Sequence, residues 1–226
     1  QPGVFNCNER TLSRYLHAGL FSAKRGDMKR LCMVRQRKPK SGDYAHKVEK
    51  GCYVGRDYRD YEAFRAEHPD LSPVFMDLVI GRIGGKCLLT LHWPDSAFMI
   101  ARVIPNKCAD SVIAVFDELH GQLGDELFKR LFALILTDRG TEFSNPSRIE
   151  NDEKGNPRCR VFFCDPMNSN QKSQLERNHE FVREVLPKGT SFDGLEQAHA
   201  DLMMSHINAY IRHSQSERTP RDVFEF

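Results

Sequence analysis

No stretch of the 226 residues approaches the roughly 18 consecutive apolar residues of a membrane-spanning helix, so no membrane association is expected. No secretory signal is visible at the start. The cysteines number seven, are scattered, and include no Cys-x-x-Cys pair. That argues against a disulfide framework and fits reduced thiols in a reducing cytosol. Cys159 and Cys164 flank a strand-like run, and packing is preferred there over metal binding. Internal repeats and low-complexity tracts are absent. Residue 1 is Gln, so a fragment or a processed chain is expected. The length allows one moderate domain plus an appendage, with a substantial core.

Acidic and basic residues nearly balance, at +2 overall, but they are not evenly spread. Residues 1–70 hold 15 Lys+Arg and 9 Asp+Glu, a net +6. Residues 71–226 hold 18 and 22, a net −4. Residues 22–50 alone carry 10 basic and 3 acidic residues, a net +7. Such a segment suits contact with a phosphate backbone, although a solvated basic linker has the same composition.

Periodicity divides the chain further. Residues 8–21 read as a helix that Asn8 caps and Gly19 ends, with Leu12, Tyr15 and Leu16 on one face. Arg10 and Arg14 face outward from it, as on an ordinary amphipathic helix. Residues 22–50, interrupted by Pro39 and Gly42, read as a linker. Residues 57–68 form a short helix anchored by Tyr61 and Phe64. Strand-like runs follow at 74–80, 86–93 and 97–104, a helix at 109–122, and strands at 132–137 and 160–164. The polar stretch 144–160 reads as a mobile loop or hairpin. A helix at 170–186 ends at Pro187 and Gly189. The last helix starts at Asp193 with Glu196 as a capping-box partner, and its apolar face is Leu195, Ala198, Leu202, Ile207, Tyr210 and Ile211.

Three acids stand in distinctive surroundings. Asp77 lies within the apolar run Phe75-Met76-Asp77-Leu78-Val79-Ile80. Asp138 ends the run Ala133-Leu134-Ile135-Leu136-Thr137. Glu176 sits on the 170–186 helix, and Glu180 follows it by one turn. A carboxylate on a buried strand is costly unless it is paired, and a divalent metal is the usual remedy where several meet. The spacings are 61 residues (138 minus 77) and 38 residues (176 minus 138). Taken singly, Asp77 also reads as a satisfied polar group, Asp138 as a turn residue and Glu176 as a solvated helix residue.

The ordered motifs carry more. Met76-Asp77-Leu78-Val79-Ile80-Gly81, Gly84-Gly85-Lys86, and Leu136-Thr137-Asp138-Arg139-Gly140-Thr141-Glu142-Phe143 are followed by Phe163-Cys164-Asp165-Pro166. Then come Glu176-Arg177-Asn178-His179-Glu180, Leu186-Pro187-Lys188-Gly189-Thr190 and Arg218-Thr219-Pro220. Together, across residues 74–224, they resemble the IS-thirty family of insertion-sequence transposases, with a retroviral-integrase-like DDE catalytic core. The zinc-binding His/Cys domain of retroviral integrases has no counterpart.

The resemblance implies an α/β, ribonuclease-H-like fold: a five-stranded mixed sheet flanked by helices, with a helical N-terminal appendage. The corresponding division is a helix-turn-helix remnant at 1–21, a basic linker and short helix at 22–70, and an integrase-type core at 71–226. It also implies catalytic and metal-binding roles for Asp77, Asp138 and Glu176 with two Mg²⁺ ions, for which Mn²⁺ can substitute. Asp77 would bridge the metals, with Asp138 and Glu176 each helping to hold one. Glu142 and Glu180 are possible secondary acids. Arg10, Arg14, Arg139, Lys172, Asn178 and His179 are candidate DNA contacts, Lys172 at a DNA-facing helix start. Asn178 and His179 read equally as packed or exposed helix positions. Arg183 and Lys188 read as surface charges.

The implied partners are terminal inverted repeats and target DNA, with at least a homodimer on DNA, in a bacterial cytoplasm beside the nucleoid. The implied reaction is cleavage at element ends and attack of the freed 3′-hydroxyl on target DNA. Two departures stand out: Ser173 where many relatives have Gly, and Arg139 where Asn is common. A catalytically inactive DNA-binding regulator and a metal-dependent nuclease of the same fold remain the alternatives.

Overall fold

The structure, a computed structural model, describes residues 9–22 and 51–224. The chain divides into two units, Gln1–Val48 and Glu49–Phe226. In the first, α1 (Glu9–His17) exposes Arg10 and Arg14. Gly19, at φ +71, takes the left-handed turn that ends the helix, and Leu20 N–H returns to Tyr15 O at 3.1 Å. Asn8 and the expected linker lie outside the described residues.

The second unit opens with α2 (Tyr58–Glu67). Asp57 caps it through a reciprocal box with Asp60. Then come β1 (Pro73–Ile80), β2 (Cys87–Trp93) and β3 (Phe98–Ile104), an antiparallel meander. α3 (Ala109–Leu123) and α4 (Asp125–Phe132) lead to β4 (Leu134–Thr137), which pairs parallel with β1. α5 (Pro146–Glu150) precedes β5 (Arg160–Phe163), which pairs parallel with β4. α6 (Ser173–Val185), α7 (Gln197–Asn208) and α8 (Pro220–Val223) complete the unit. The sheet order β3-β2-β1-β4-β5, with these directions, is the ribonuclease-H-like arrangement.

Alternation along the strands separates two cores. Val74, Met76, Ile135 and Phe163 face a core shared with Phe116 and Phe128 from α3 and α4. Phe75, Val79, Leu136 and Phe162 face the other, with Tyr61 from α2, Leu175 and Val182 from α6, and Met203 and Ile207 from α7. Tyr53 and Tyr61 are both buried in these cores. Residues 51–70 are therefore part of the core unit and not a linker, because their aromatic rings supply its packing.

Both sheet edges are covered. Edge strand β3 would expose unpaired backbone groups. Asn208 accepts from Met99 N–H at 3.0 Å and donates to Met99 O at 2.8 Å. Gln197 does the same for Val103 N–H at 2.9 Å and Ala101 O at 2.8 Å. On β5, Val161 N–H donates to the Glu150 carboxylate at 3.0 Å and Phe163 N–H to Arg56 O at 2.8 Å.

Several expectations need correction. α4 was not anticipated: Phe128 and Phe132 are buried one turn apart, but their short apolar pattern runs straight into β4. The stretch 144–160 is not simply a loop. Its α5 buries Pro146, Ile149 and Glu150, and Arg56 grips Glu150 at 2.6 and 3.1 Å. The last long helix begins after Glu196, which boxes with His199, rather than at Asp193. Asp193 instead accepts from Lys86 N–H at 3.3 Å. The buried face of that helix is Ala200, Met203, Met204 and Ile207, whereas Leu202, Tyr210 and Ile211 are exposed.

Candidate active site

The spacing of the first two acids is a strand register. Pro73 pairs with Leu134 and Phe75 with Leu136, an offset of 61 (134 minus 73), which equals 138 minus 77. Continued by two residues, that register sets Asp138, just past the end of β4, level with Asp77, which lies inside β1 three residues before its end. Thr137 Oγ1, donating to Met76 O at 3.0 Å, keeps the strands joined up to this level. Asp77 shares parity with Phe75 and Val79, so it belongs to the sheet face that α6 covers. Asp138 follows the end of β4 and accepts from Gly140 N–H at 2.9 Å.

Polar groups converge on the Asp77 backbone. Thr90, its cross-strand partner on β2, donates to Asp77 O at 3.1 Å. Thr90 and Thr137 have no solvent exposure. His179 Nε2 lies 2.8 Å from Thr90 Oγ1. Because the single threonine proton goes to Asp77 O, the imidazole is assigned as the donor at Nε2. Burial pushes the His179 pKa down to about 4, with Lys172 and Arg183 acting in the same direction and Asp77 opposing them. His179 is thus neutral at pH 7 and packed, not a phosphate-binding cation. Asn178 is packed too: it is buried and donates to Ala97 O at 2.9 Å.

Lys172 departs most from expectation. It is buried, with Nζ 3.2 Å from Met76 O and 3.4 Å from Asp77 Oδ2. It does not stand at an exposed helix start, because its ammonium has turned inward to the carboxylate. Arg139 is fastened as well. Its guanidinium lies 5.0 Å from the Tyr53 ring centre and donates to Cys164 O at 3.3 Å. Glu142 is buried and ion-paired with Lys107 at 3.3 Å. Ser173 has φ −58, ordinary helical backbone, so glycine is not required there.

Glu176 is exposed on α6, on the stripe between Lys172 and His179. Farther along that stripe, Arg183 is not a free surface charge, since it donates to Ile80 O at 2.9 Å. The stripe therefore runs along β1, and Glu176 lies on the helix side nearest the strand that carries Asp77. Glu180, a turn later, is exposed. Among the described residues, no three His, Cys, Asp or Glu side chains are gathered so as to hold a metal ion. The donor chemistry still suits an oxygen-seeking divalent cation, since the acids offer only oxygens and Asp77 already faces a positive charge in Lys172. Burial raises the Cys164 thiol to about 11 and the Cys159 thiol to about 12, so neither is a ready thiolate ligand.

Thr90, Thr137 and Tyr53 escaped the sequence reading. Thr137 had a signal, a hydroxyl on a fully apolar run directly before Asp138. Thr90 had none until the register placed it opposite Asp77.

Sheet order and strand directions define a ribonuclease-H-like fold. No protein-family model matches the chain. A protein named as a candidate integrase, from Spiroplasma virus SpV1-R8A2 B, is 27% identical over 149 residues, 66% of this chain and 44% of the relative. A protein named as a candidate transposase of an insertion-like sequence element, from Streptococcus salivarius, is 23% identical over 220 residues, 96% of this chain and 58% of the relative. The chain thus spans about half the length of the curated relatives it matches. Among solved structures, the catalytic core domain of BIV integrase superposes with TM-score 0.47 at 20% identity, covering 68% of this chain and 93% of that one. The relatives carry transposase and integrase names, and this chain is distantly similar to them.

Proposed function

We propose that the chain acts in DNA transposition or integration as a polynucleotidyl transferase, and that it is a transposase of the IS-thirty kind. The observation that carries the reading is the match between the 61-residue spacing of the two aspartates and the β1–β4 register. Two aspartates at one level on neighbouring parallel strands, beneath a helix that carries a third acid, suit joint work on one oxygen-seeking ligand. The distant relatives named as transposase and integrase support the same class.

Asp77, Asp138 and Glu176 would hold Mg²⁺, which when bound activates the attacking hydroxyl and neutralises charge on the phosphodiester. The chain's own residues do the positioning. Thr90, backed by neutral His179, fixes the Asp77 peptide, and Thr137 locks β4 to β1 at that level. No serine or tyrosine nucleophile is required, since water or a DNA 3′-hydroxyl attacks the phosphorus directly. DNA ends and target DNA are the proposed partners, with at least two copies of the chain on DNA.

The test is a branched DNA that mimics a strand-transfer product, incubated with Mg²⁺ or Mn²⁺. The wild-type chain is expected to resolve it and Asp138→Asn to be inactive. Resolution that survives in the variant would remove Asp138 from the reaction. A second reading, a DNA-binding regulator without catalysis, is favoured by two observations: Lys172 pairs with Asp77, and the three acids are not gathered. Failure of the wild-type chain with both metals, together with retained DNA binding, would favour that reading.

A further inference from the structure

Lys172 carries a charge on a side chain that is only 9% exposed. An ammonium so placed is costly unless its charge is met. It is met at two points, Met76 O at 3.2 Å and Asp77 Oδ2 at 3.4 Å. The other carboxylate oxygen of Asp77 accepts from Leu78 N–H at 2.7 Å. Asp77 therefore has one oxygen tied to backbone and one facing a cation. Its flanking carbonyls are also taken, Met76 O by Thr137 and Asp77 O by Thr90. The strand is held from every side, and the ammonium is the only one of these partners that is charged.

We propose that Lys172 is a positioning residue that fills the cation subsite of Asp77 when no metal is bound, so that a divalent cation must displace its ammonium to bind. The proposal rests on the reading of Asp77 as a metal ligand. The ammonium keeps the carboxylate oriented before loading. It also opposes loading, because a divalent cation on Oδ2 would lie against a like charge in a poorly solvated place. Lys172 thereby sets the metal concentration at which the site fills. A lysine serving only to pack α6 against β1 would leave metal affinity unchanged.

The test is Mn²⁺ binding by calorimetry to the wild-type chain, Asp77→Asn, Lys172→Gln and Lys172→Arg, each first checked for folding by thermal melt. Glutamine keeps a donor for Met76 O and removes the charge. Lys172→Gln is expected to bind Mn²⁺ about tenfold more tightly than wild type, the scale of outer-shell effects on metal sites. Lys172→Arg is expected to bind as wild type does, and Asp77→Asn to lose the site. Equal affinity in wild type and Lys172→Gln overturns the proposal while leaving the metal-site reading intact, provided Asp77→Asn still abolishes binding. Absence of any Asp77-dependent binding overturns both. Should Lys172→Gln not fold, amine acetylation of the wild-type chain decides the matter. Lys172 is expected to be protected without metal and to become reactive as Mn²⁺ is added. Unchanged protection at saturating Mn²⁺ overturns the proposal.

Discussion

Two histidines next to the aspartate strand set the response to acid. His92 is fully buried, and neither ring nitrogen has a hydrogen-bond partner. Burial pushes its pKa down to about 3, with His179 and Arg212 acting in the same direction. His179 is pushed down to about 4. Both start near 6.5 in the unfolded chain, which therefore binds more protons than the folded chain between about 6.5 and 4. Stability is complete above about pH 6.5 and falls as the pH drops toward 4, by up to about 1.4 kcal/mol per pH unit for each histidine. Urea titrations at pH 7.5, 6 and 5 check this, and His92→Phe is expected to remove about half of the slope. Gly81 makes a second prediction at this scale. A Cβ there would clash with the Thr190 carbonyl oxygen and lie 2.8 Å from the Phe192 ring. Gly81→Ala is expected to cost about 1–3 kcal/mol through overpacking, read from a shift in the urea midpoint. The glycine of one sequence motif thus exists to let the backbone of another pass close by.

At the scale of elements, side-chain amides finish what the sheet leaves open. Asn208 closes both backbone groups of Met99 on β3 from the end of α7. Asn208→Ala leaves a buried N–H and a buried C=O unpaired, at about 1–3 kcal/mol for such a group. The expected result is a lower unfolding free energy with faster hydrogen exchange at the Met99 amide. Unchanged exchange would mean that water replaces the amide without loss. β5 is closed by a different device, the carboxylate of Glu150 held by Arg56. α5 therefore serves as a clasp between the segment before α2 and the last strand, which explains why a polar stretch that reads as a loop is ordered.

Across the whole molecule, charge divides where the units divide. Residues 1–48 carry 11 basic and 3 acidic residues, net +8, and residues 49–226 carry 22 and 28, net −6. Phosphate contact is thus expected of the first unit, and a carboxylate-lined site of the second. Duplex DNA binding by the full chain is expected to weaken steeply between 50 and 200 mM salt, by a slope of about −0.9 per phosphate contacted. Deleting residues 1–48 is expected to remove most of that binding, as fluorescence anisotropy would report. A truncated chain with an unchanged salt slope would place the phosphate contacts in the second unit. Among the described residues, no helix is long and apolar enough to cross a membrane.

The sequence by itself determined the strands, the acids and their order, because alternation and apolar runs are local properties of the chain. It marked Asp77 and Asp138 by placing a charge where hydrocarbon was due. It could not assign Lys172, Asn178 and His179, three polar residues on or directly before one amphipathic helix. Which of them turns inward depends on β1 and β2 lying beneath α6, and those contacts join residues about 80 to 100 positions apart. Nor could it reveal that a spacing of 61 is a register, since register exists only once two strands pair. The tertiary structure decided these matters because burial changes the cost of a polar group, and burial is a property of the assembled layers.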